Sequence, residues 1–201
     1  MSLNSSGRGK VALLVLAGCM VWVFSSTVLP DMAAAFTEAT GYELGLRYSY
    51  GQTFRGLETV NFNSILPRWG VFLTQPDNPL MGKLRLSFIV EGIVGSAETS
   101  THSGWNLGIT PLLKISYPFG SRFLGYIEGG VGVIWQNLET STYYSTFNFS
   151  PQAGVGVDIR VIDNFALSLA YRFQHTSNAG LYAHNPDVNS NCGMIGVSYY
   201  Y

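Results

Sequence analysis

The sequence predicts an all-β protein, an eight-stranded antiparallel transmembrane β-barrel of the bacterial outer membrane. From Tyr42 onward the chain alternates apolar and polar residues with period two, punctuated by Gly, Pro, Ser, Asn and Asp, and it holds no convincing helical stretch. Only 11% of its residues are charged, against roughly 25% in a typical soluble domain, which is too few to dress a fully hydrated exterior. The third observation is an N-terminus built like an export signal.

In that N-terminal region Arg8 and Lys10 precede an apolar run from Val11 to Phe24, shorter than the roughly 20 residues a spanning helix needs. Pro30 and the small-residue run Ala33 to Ala35 follow, the order of a cleaved signal. Residues 1–35 are therefore expected to be removed, leaving 36–201 as one barrel domain. A rival reading takes Leu16-Ala17-Gly18-Cys19 as a lipoprotein processing box, but the mature protein would then begin with the greasy Met20 to Phe24. After Ala35 the sole cysteine is Cys192, so no disulfide forms within the mature chain. No basic surroundings activate it, and it reads as a small strand residue. A net charge of −1 with scattered basic residues gives no nucleic-acid surface.

Strands are expected near 42–50, 60–73, 83–95, 104–117, 123–136, 146–161, 165–178 and 191–201. The sixth alternates most cleanly, with Phe147, Phe149, Ala153, Val155, Val157, Ile159 and Val161 opposed to Asn148, Ser150, Gln152, Gly154, Gly156, Asp158 and Arg160. The first sets Leu44, Leu46, Tyr48 and Tyr50 against Glu43, Gly45, Arg47 and Ser49. Alternation alone fits a soluble barrel with an apolar inside or a membrane barrel with an apolar outside. The polar face decides, because it holds small residues with a few charges: Arg68, Arg85, Glu91, Lys114, Glu128 and Arg172. Such a set suits a narrow interior closed by ion pairs. The connections 51–58, 96–103, 138–145 and 180–190 are long and 118–122 and 162–164 short, which puts the long ones outside and the short ones in the periplasm. The connection 74–82 is longer than that rule predicts. The terminal Tyr199-Tyr200-Tyr201 resembles the C-terminal signal of outer-membrane barrels.

Near the outer end of the seventh strand, His175 and Ser177 share the greasy face with Phe165, Leu167, Leu169, Tyr171 and Phe173. Imidazole is the usual base for a serine nucleophile, and residues two apart on a strand lie within about 7 Å. By itself His-x-Ser also fits an interfacial girdle of a membrane barrel. The longer stretch His175-Thr176-Ser177-Asn178-Ala179-Gly180, followed by Asn185-Pro186-Asp187-Val188-Asn189, resembles the signature of the outer-membrane lipid A 3-O-deacylase (acyloxyacyl-hydrolase-like) family of eight-stranded barrels.

That resemblance implies a serine esterase, without cofactor, that hydrolyses the 3-O-linked hydroxyacyl ester of lipid A at the outer leaflet. It makes His175 the base and Ser177 the nucleophile, and assigns the oxyanion to the Gly180 N–H and Asn185. The family's imidazole-orienting carboxylate falls at Asn189, where this chain carries an amide; Asp187 is a substitute nearby. Asn178 is expected to brace the loop, His184 to be a solvated loop residue and His102 to have no role. Phe147, Phe149 and Tyr199 are candidate walls for the acyl chain. No metal cage or phosphate loop is seen. The expected partners are lipopolysaccharide and the outer membrane, with a homodimer as an open alternative to a monomer. Two other functions stay open: a non-catalytic structural or adhesive barrel, and a different lipid-A-modifying barrel such as an acyltransferase.

Overall fold

The computed structural model describes residues 41–54, 58–74, 78–138, 146–181, 185 and 187–201. Residues 1–35, His184 and most of the connection 138–145 lie outside the described residues, and with them the expected signal and the solvated-loop role of His184. Eight strands run in chain order: β1 (Tyr42–Phe54), β2 (Asn61–Phe72), β3 (Arg85–Glu98), β4 (Ser103–Phe119), β5 (Phe123–Gln136), β6 (Phe147–Ile162), β7 (Phe165–Thr176) and β8 (Val188–Tyr200). Each pairs antiparallel with its sequence neighbour, and β8 closes on β1. A closed barrel has no free edge, so every strand's backbone finds its partners within the wall.

Side-chain parity turns the molecule inside out relative to a soluble protein. Leu44, Leu46, Ile65, Leu107, Leu113, Ile127, Val131, Leu169 and Ile195 are exposed, while Glu43, Arg47, Arg68, Glu91, Lys114, Glu128, Asp158 and Arg172 are buried. An apolar exterior around a charged interior is stable only where lipid is the solvent, as in a transmembrane barrel.

The interior charges pair with one another. Glu128 accepts from Arg47 (3.1 Å) and Arg68 (3.0 Å), and Arg172 bridges Glu91 and Glu128. Lys114 lies between Glu43 (2.8 Å) and Asp158 (3.0 Å). The Tyr200 hydroxyl donates to Asp158 at 2.6 Å. Two glycines make room for these long side chains: a Cβ at Gly45 would stand 2.7 Å from Arg68 Cγ, and one at Gly196 2.7 Å from Arg47 Cγ. Apolar clusters flank the charges. Leu124, Ala166 and Tyr200 fill the end where β1 starts and β8 finishes, and Val60, Ala97, Leu138 and Val188 cap the other.

The structure redraws several strand ends. β1 and β3 continue to Phe54 and Glu98, and β8 begins at Val188 instead of 191. Asn189 and Ser190 read as loop because they are polar, yet Val188 and Ser190 point inward, where they are buried, and β7 supplies a paired edge. β7 stops at Thr176, and Ser177 pairs with Phe149 of β6 instead. In the long connection after β2, Asn78 organises a turn: its side chain accepts from Leu80 N (2.9 Å) and its carbonyl from Gly82 N (2.7 Å), with Gly82 at φ +57.

Candidate active site

The site lies at the barrel end opposite the start of β1 and the end of β8, where β7 hands over to β8. Alternation along β8 fixes its geometry. Val188 is drawn into the apolar cap, so Asn189 must face outward, directly opposite His175. The pair meets side chain to side chain, with His175 Nδ1 at 2.9 Å from Asn189 Oδ1. An amide oxygen only accepts, so this contact fixes the proton on Nδ1 and leaves the Nε2 lone pair free to act as a base.

Ser177 is held on the same outward face by two backbone hydrogen bonds to Phe149: Phe149 N donates to Ser177 O (2.7 Å) and Ser177 N to Phe149 O (3.1 Å). Among the described residues, no hydrogen bond joins Ser177 Oγ to the imidazole. Instead, Asp187 Oδ1 lies 3.6 Å from His175 Nε2. The Asp187 side chain is 73% exposed and that of His175 28%. Nδ1 is thus engaged by Asn189, while Asp187 stands beside Nε2 at a distance beyond a hydrogen bond, on the nucleophile's side of the ring. Asp187 occupies this place with a left-handed backbone, φ 43.

The chain turns sharply after Ser177. Ala179 (φ 53) and Gly180 (φ 80) are both left-handed, and Leu181 N donates to Asn178 O at 3.0 Å, the signature of a primed turn. The buried Asn178 organises it: its Oδ1 accepts from Gly180 N (2.9 Å), and its own N–H donates to Asn185 Oδ1 (2.8 Å). This corrects the expected division of labour. The Gly180 N–H is engaged by the Asn178 side chain, because an Asx side chain folds over the backbone two residues on. The Asn185 oxygen is turned to the backbone, and its Nδ2 makes no hydrogen bond among the described residues.

Two expected walls lie at the site and one does not. Phe149 is the bridge partner of Ser177, and Phe147 packs edge-on against it with centroids 5.4 Å apart. Tyr199 is at the other end of the barrel, paired with Phe165 and Leu44. It follows Asn189 by ten residues on one strand, about 33 Å at ~3.3 Å per residue. Sequence reading also missed a groove of about 660 Å³ on the outer wall. Leu113, Ile127, Val155 and Tyr171 line it, and Gly129 and Ala153, adjacent across β5 and β6, form its floor. Its signal was present: small residues at outward positions among large ones. Ala153 pairs with Phe173, two residues before His175, so the groove begins just below the site.

The sequence model of the family described as lipid A 3-O-deacylase (PagL) matches residues 77–198. The crystal structure of the outer membrane enzyme PagL superposes with a TM-score of 0.57 at 19% identity, covering 76% of this chain and 97% of that one. Neisserial surface protein A gives 0.56 at 13% identity, covering 80% and 97%. Ail, the attachment invasion locus protein of Yersinia pestis, gives 0.55 at 14% identity, covering 81% and 100%. At these identities the structural likeness shows the shared barrel. No curated protein sequence matches the chain. None of these likenesses supports a homodimer.

Proposed function

The chain belongs to the lipid A 3-O-deacylase family, and on that premise we propose that it is a serine esterase of the bacterial outer membrane, releasing the 3-O-linked hydroxyacyl chain of lipid A at the outer leaflet. The observation that carries this reading is the outward-facing His175, held in its Nδ1–H tautomer by Asn189 at 2.9 Å, with Ser177 on the same face. A base and a hydroxyl presented to the lipid side of a membrane wall have lipid as their nearest substrate.

In this mechanism Ser177 Oγ attacks the ester carbonyl carbon while its proton passes to His175 Nε2. Reaching the ring requires Ser177 to replace Asp187 beside Nε2. The exposure of Asp187 leaves it free to move into water, and such contacts tighten only with substrate bound. The tetrahedral oxyanion is met by Asn185 Nδ2, a preorganised donor worth roughly 3–4 kcal/mol. The bond from carbonyl carbon to sugar oxygen then breaks, and His175 returns the proton to that oxygen. Water enters from the headgroup side, gives a proton to His175 and attacks the acyl-serine carbonyl; as the bond to Ser177 Oγ breaks, His175 returns that proton to Oγ and the hydroxy fatty acid is released. No residue in this sequence of steps calls for a cofactor. Phe147 and Phe149 flank the reacting ester, and the acyl chain lies along the groove over Gly129 and Ala153.

Mass spectrometry of lipid A from cells expressing the protein tests the reading. Wild type is expected to release the 3-linked hydroxyacyl chain, and Ser177→Ala to lower the rate by at least about 10³-fold. Equal release by both proteins, or none by the wild type, refutes it.

A further inference from the structure

Polar side chains on the lipid-facing wall of a barrel cost free energy unless they are paired or meet a polar ligand. Beside the site, β1, β2 and β8 depart from the apolar rule together, and β3 continues the departure with Ser96 and Glu98, which stand opposite Asn63 and Asn61. Tyr48, Tyr50 and Gln52 face outward on β1, Asn61 and Asn63 on β2, and Asn191 on β8, two residues past Asn189. Register makes them one surface: Gln52 stands opposite both Asn61 and Asn191, and Tyr50 opposite Asn63. Toward the same ends of β4, β5 and β6 the outward residues are Leu107, Trp135 and Phe149. The polar sector therefore occupies one flank of the site only.

Its internal hydrogen bonds all run one way. Tyr50 Oη (2.9 Å) and Gln52 Nε2 (3.0 Å) donate to Asn61 Oδ1, Tyr48 Oη to Asn63 Oδ1 (2.7 Å), and Tyr171 Oη to Asn191 Oδ1 (2.6 Å). Each asparagine amide oxygen is occupied, while the Nδ2 groups of Asn61, Asn63 and Asn191 make no hydrogen bond among the described residues. The result is a row of neutral N–H donors next to the scissile position. Among the described residues, the outward faces of β1, β2 and β8 carry no Lys or Arg. Donors without positive charge match hydroxyl, ring-ether and amide-carbonyl oxygens better than phosphate.

We propose that this amide sector binds the saccharide headgroup of the glycolipid whose ester lies at Ser177. The inference rests on the proposed hydrolase reading and adds a direction to it. The apolar groove lies on the β5–β6 side of His175 and Ser177, and the donor row on the β8–β1–β2 side. The ester is thus laid across the site with its acyl carbon toward β6 and its sugar oxygen, the leaving group, toward β8.

Binding to the Ser177→Ala protein tests this without turnover. Full-length, isotope-labelled protein in detergent micelles is titrated with lipid A and, separately, with free 3-hydroxytetradecanoic acid, while the side-chain amide signals of Asn61, Asn63 and Asn191 are followed. Lipid A is expected to shift all three, and the sugar-free acid none. The added pair Asn61→Leu and Asn63→Leu puts apolar groups where lipid is already met and is expected to weaken lipid A binding at least about 10-fold. Tyr50→Phe, which removes one hydroxyl, is expected to weaken it about 2- to 5-fold and serves if the leucine pair fails to fold. Unchanged affinity in the folded variants, or equal amide shifts with the sugar-free acid, overturns the proposal. So does unchanged affinity with loss of a dimer, which would assign the surface to a second copy. Failure of the wild type to release an acyl chain counts against the hydrolase reading, and the binding titration then still decides the headgroup surface.

Discussion

Replacing Asn189 with aspartate puts a negative charge where an amide oxygen now accepts from His175 Nδ1 at 2.9 Å, with no change in side-chain length. The charge acts mainly when the imidazole becomes positive, as Ser177 gives up its proton. Two unit charges roughly 4 Å apart attract by about 1 kcal/mol in water and about 4 kcal/mol at an effective dielectric of about 20. His175 keeps 28% of its side chain exposed, so the gain falls between these limits, about 1–3 kcal/mol. That corresponds to roughly 5- to 150-fold in kcat. Asp187, 3.6 Å from Nε2, already supplies part of this field, although its 73% exposure lets water screen most of it. The gain from Asn189→Asp is therefore expected to be larger in an Asp187→Asn background. Asn189→Ala leaves the tautomer unfixed and is expected to lower kcat about 10- to 100-fold. The assay is release of 3-hydroxy acid from lipopolysaccharide in mixed micelles at saturating lipid, with folding checked by heat-modifiable gel mobility. A folded Asn189→Asp protein no faster than wild type refutes the assignment of Asn189 as the group that orients the base.

Three other perturbations probe different parts of the molecule. Ala153→Phe fills the groove floor from a position that already faces lipid; competition between lipid A species, read by mass spectrometry, should show at least about a 10-fold loss of kcat/KM for long 3-linked chains relative to short ones. Glu128→Leu leaves the buried Arg47, Arg68 and Arg172 short of a carboxylate, and urea unfolding from lipid vesicles should show a loss of about 3–5 kcal/mol. Asn178→Ala frees the Gly180 N–H and slackens the turn that holds Asn185; kcat is expected to fall about 5- to 10-fold while the urea midpoint of the barrel stays unchanged.

The barrel was legible because parity leaves a strong mark. Leu44, Leu46, Tyr48 and Tyr50 against Glu43 and Arg47 announce a lipid face and a charged interior, and a one-residue slip would exchange them. The site was less legible, for two physical reasons. Pairing across strands is invisible in a linear string, so Asn189 read as loop until Val188 proved to be drawn into the apolar cap, and Tyr199 was assigned to a site at the other end of its own strand. Local side-chain competition for backbone donors is also hidden, and the Gly180 N–H, read as free, is taken by Asn178. The groove and the amide sector are written in outward positions that break the expected residue size or polarity. A reading that asks only whether alternation continues passes over both.

The interior ion network also bears on how the wall assembles. Its cations include Arg47, Arg68, Lys114 and Arg172 and its anions Glu43, Glu91, Glu128 and Asp158, drawn from β1 through β7, and Arg85 of β3 is buried inside as well. β2, β4, β5 and β7 each carry one buried charge, Arg68, Lys114, Glu128 and Arg172, into the forming lumen, and a strand added one residue out of register turns that charge toward hydrocarbon. The charges find their partners across the lumen only when the strands that carry them stand in the correct register. The pairing thus favours the correct register of the strands that carry it and leaves the outer wall free to vary for chemistry.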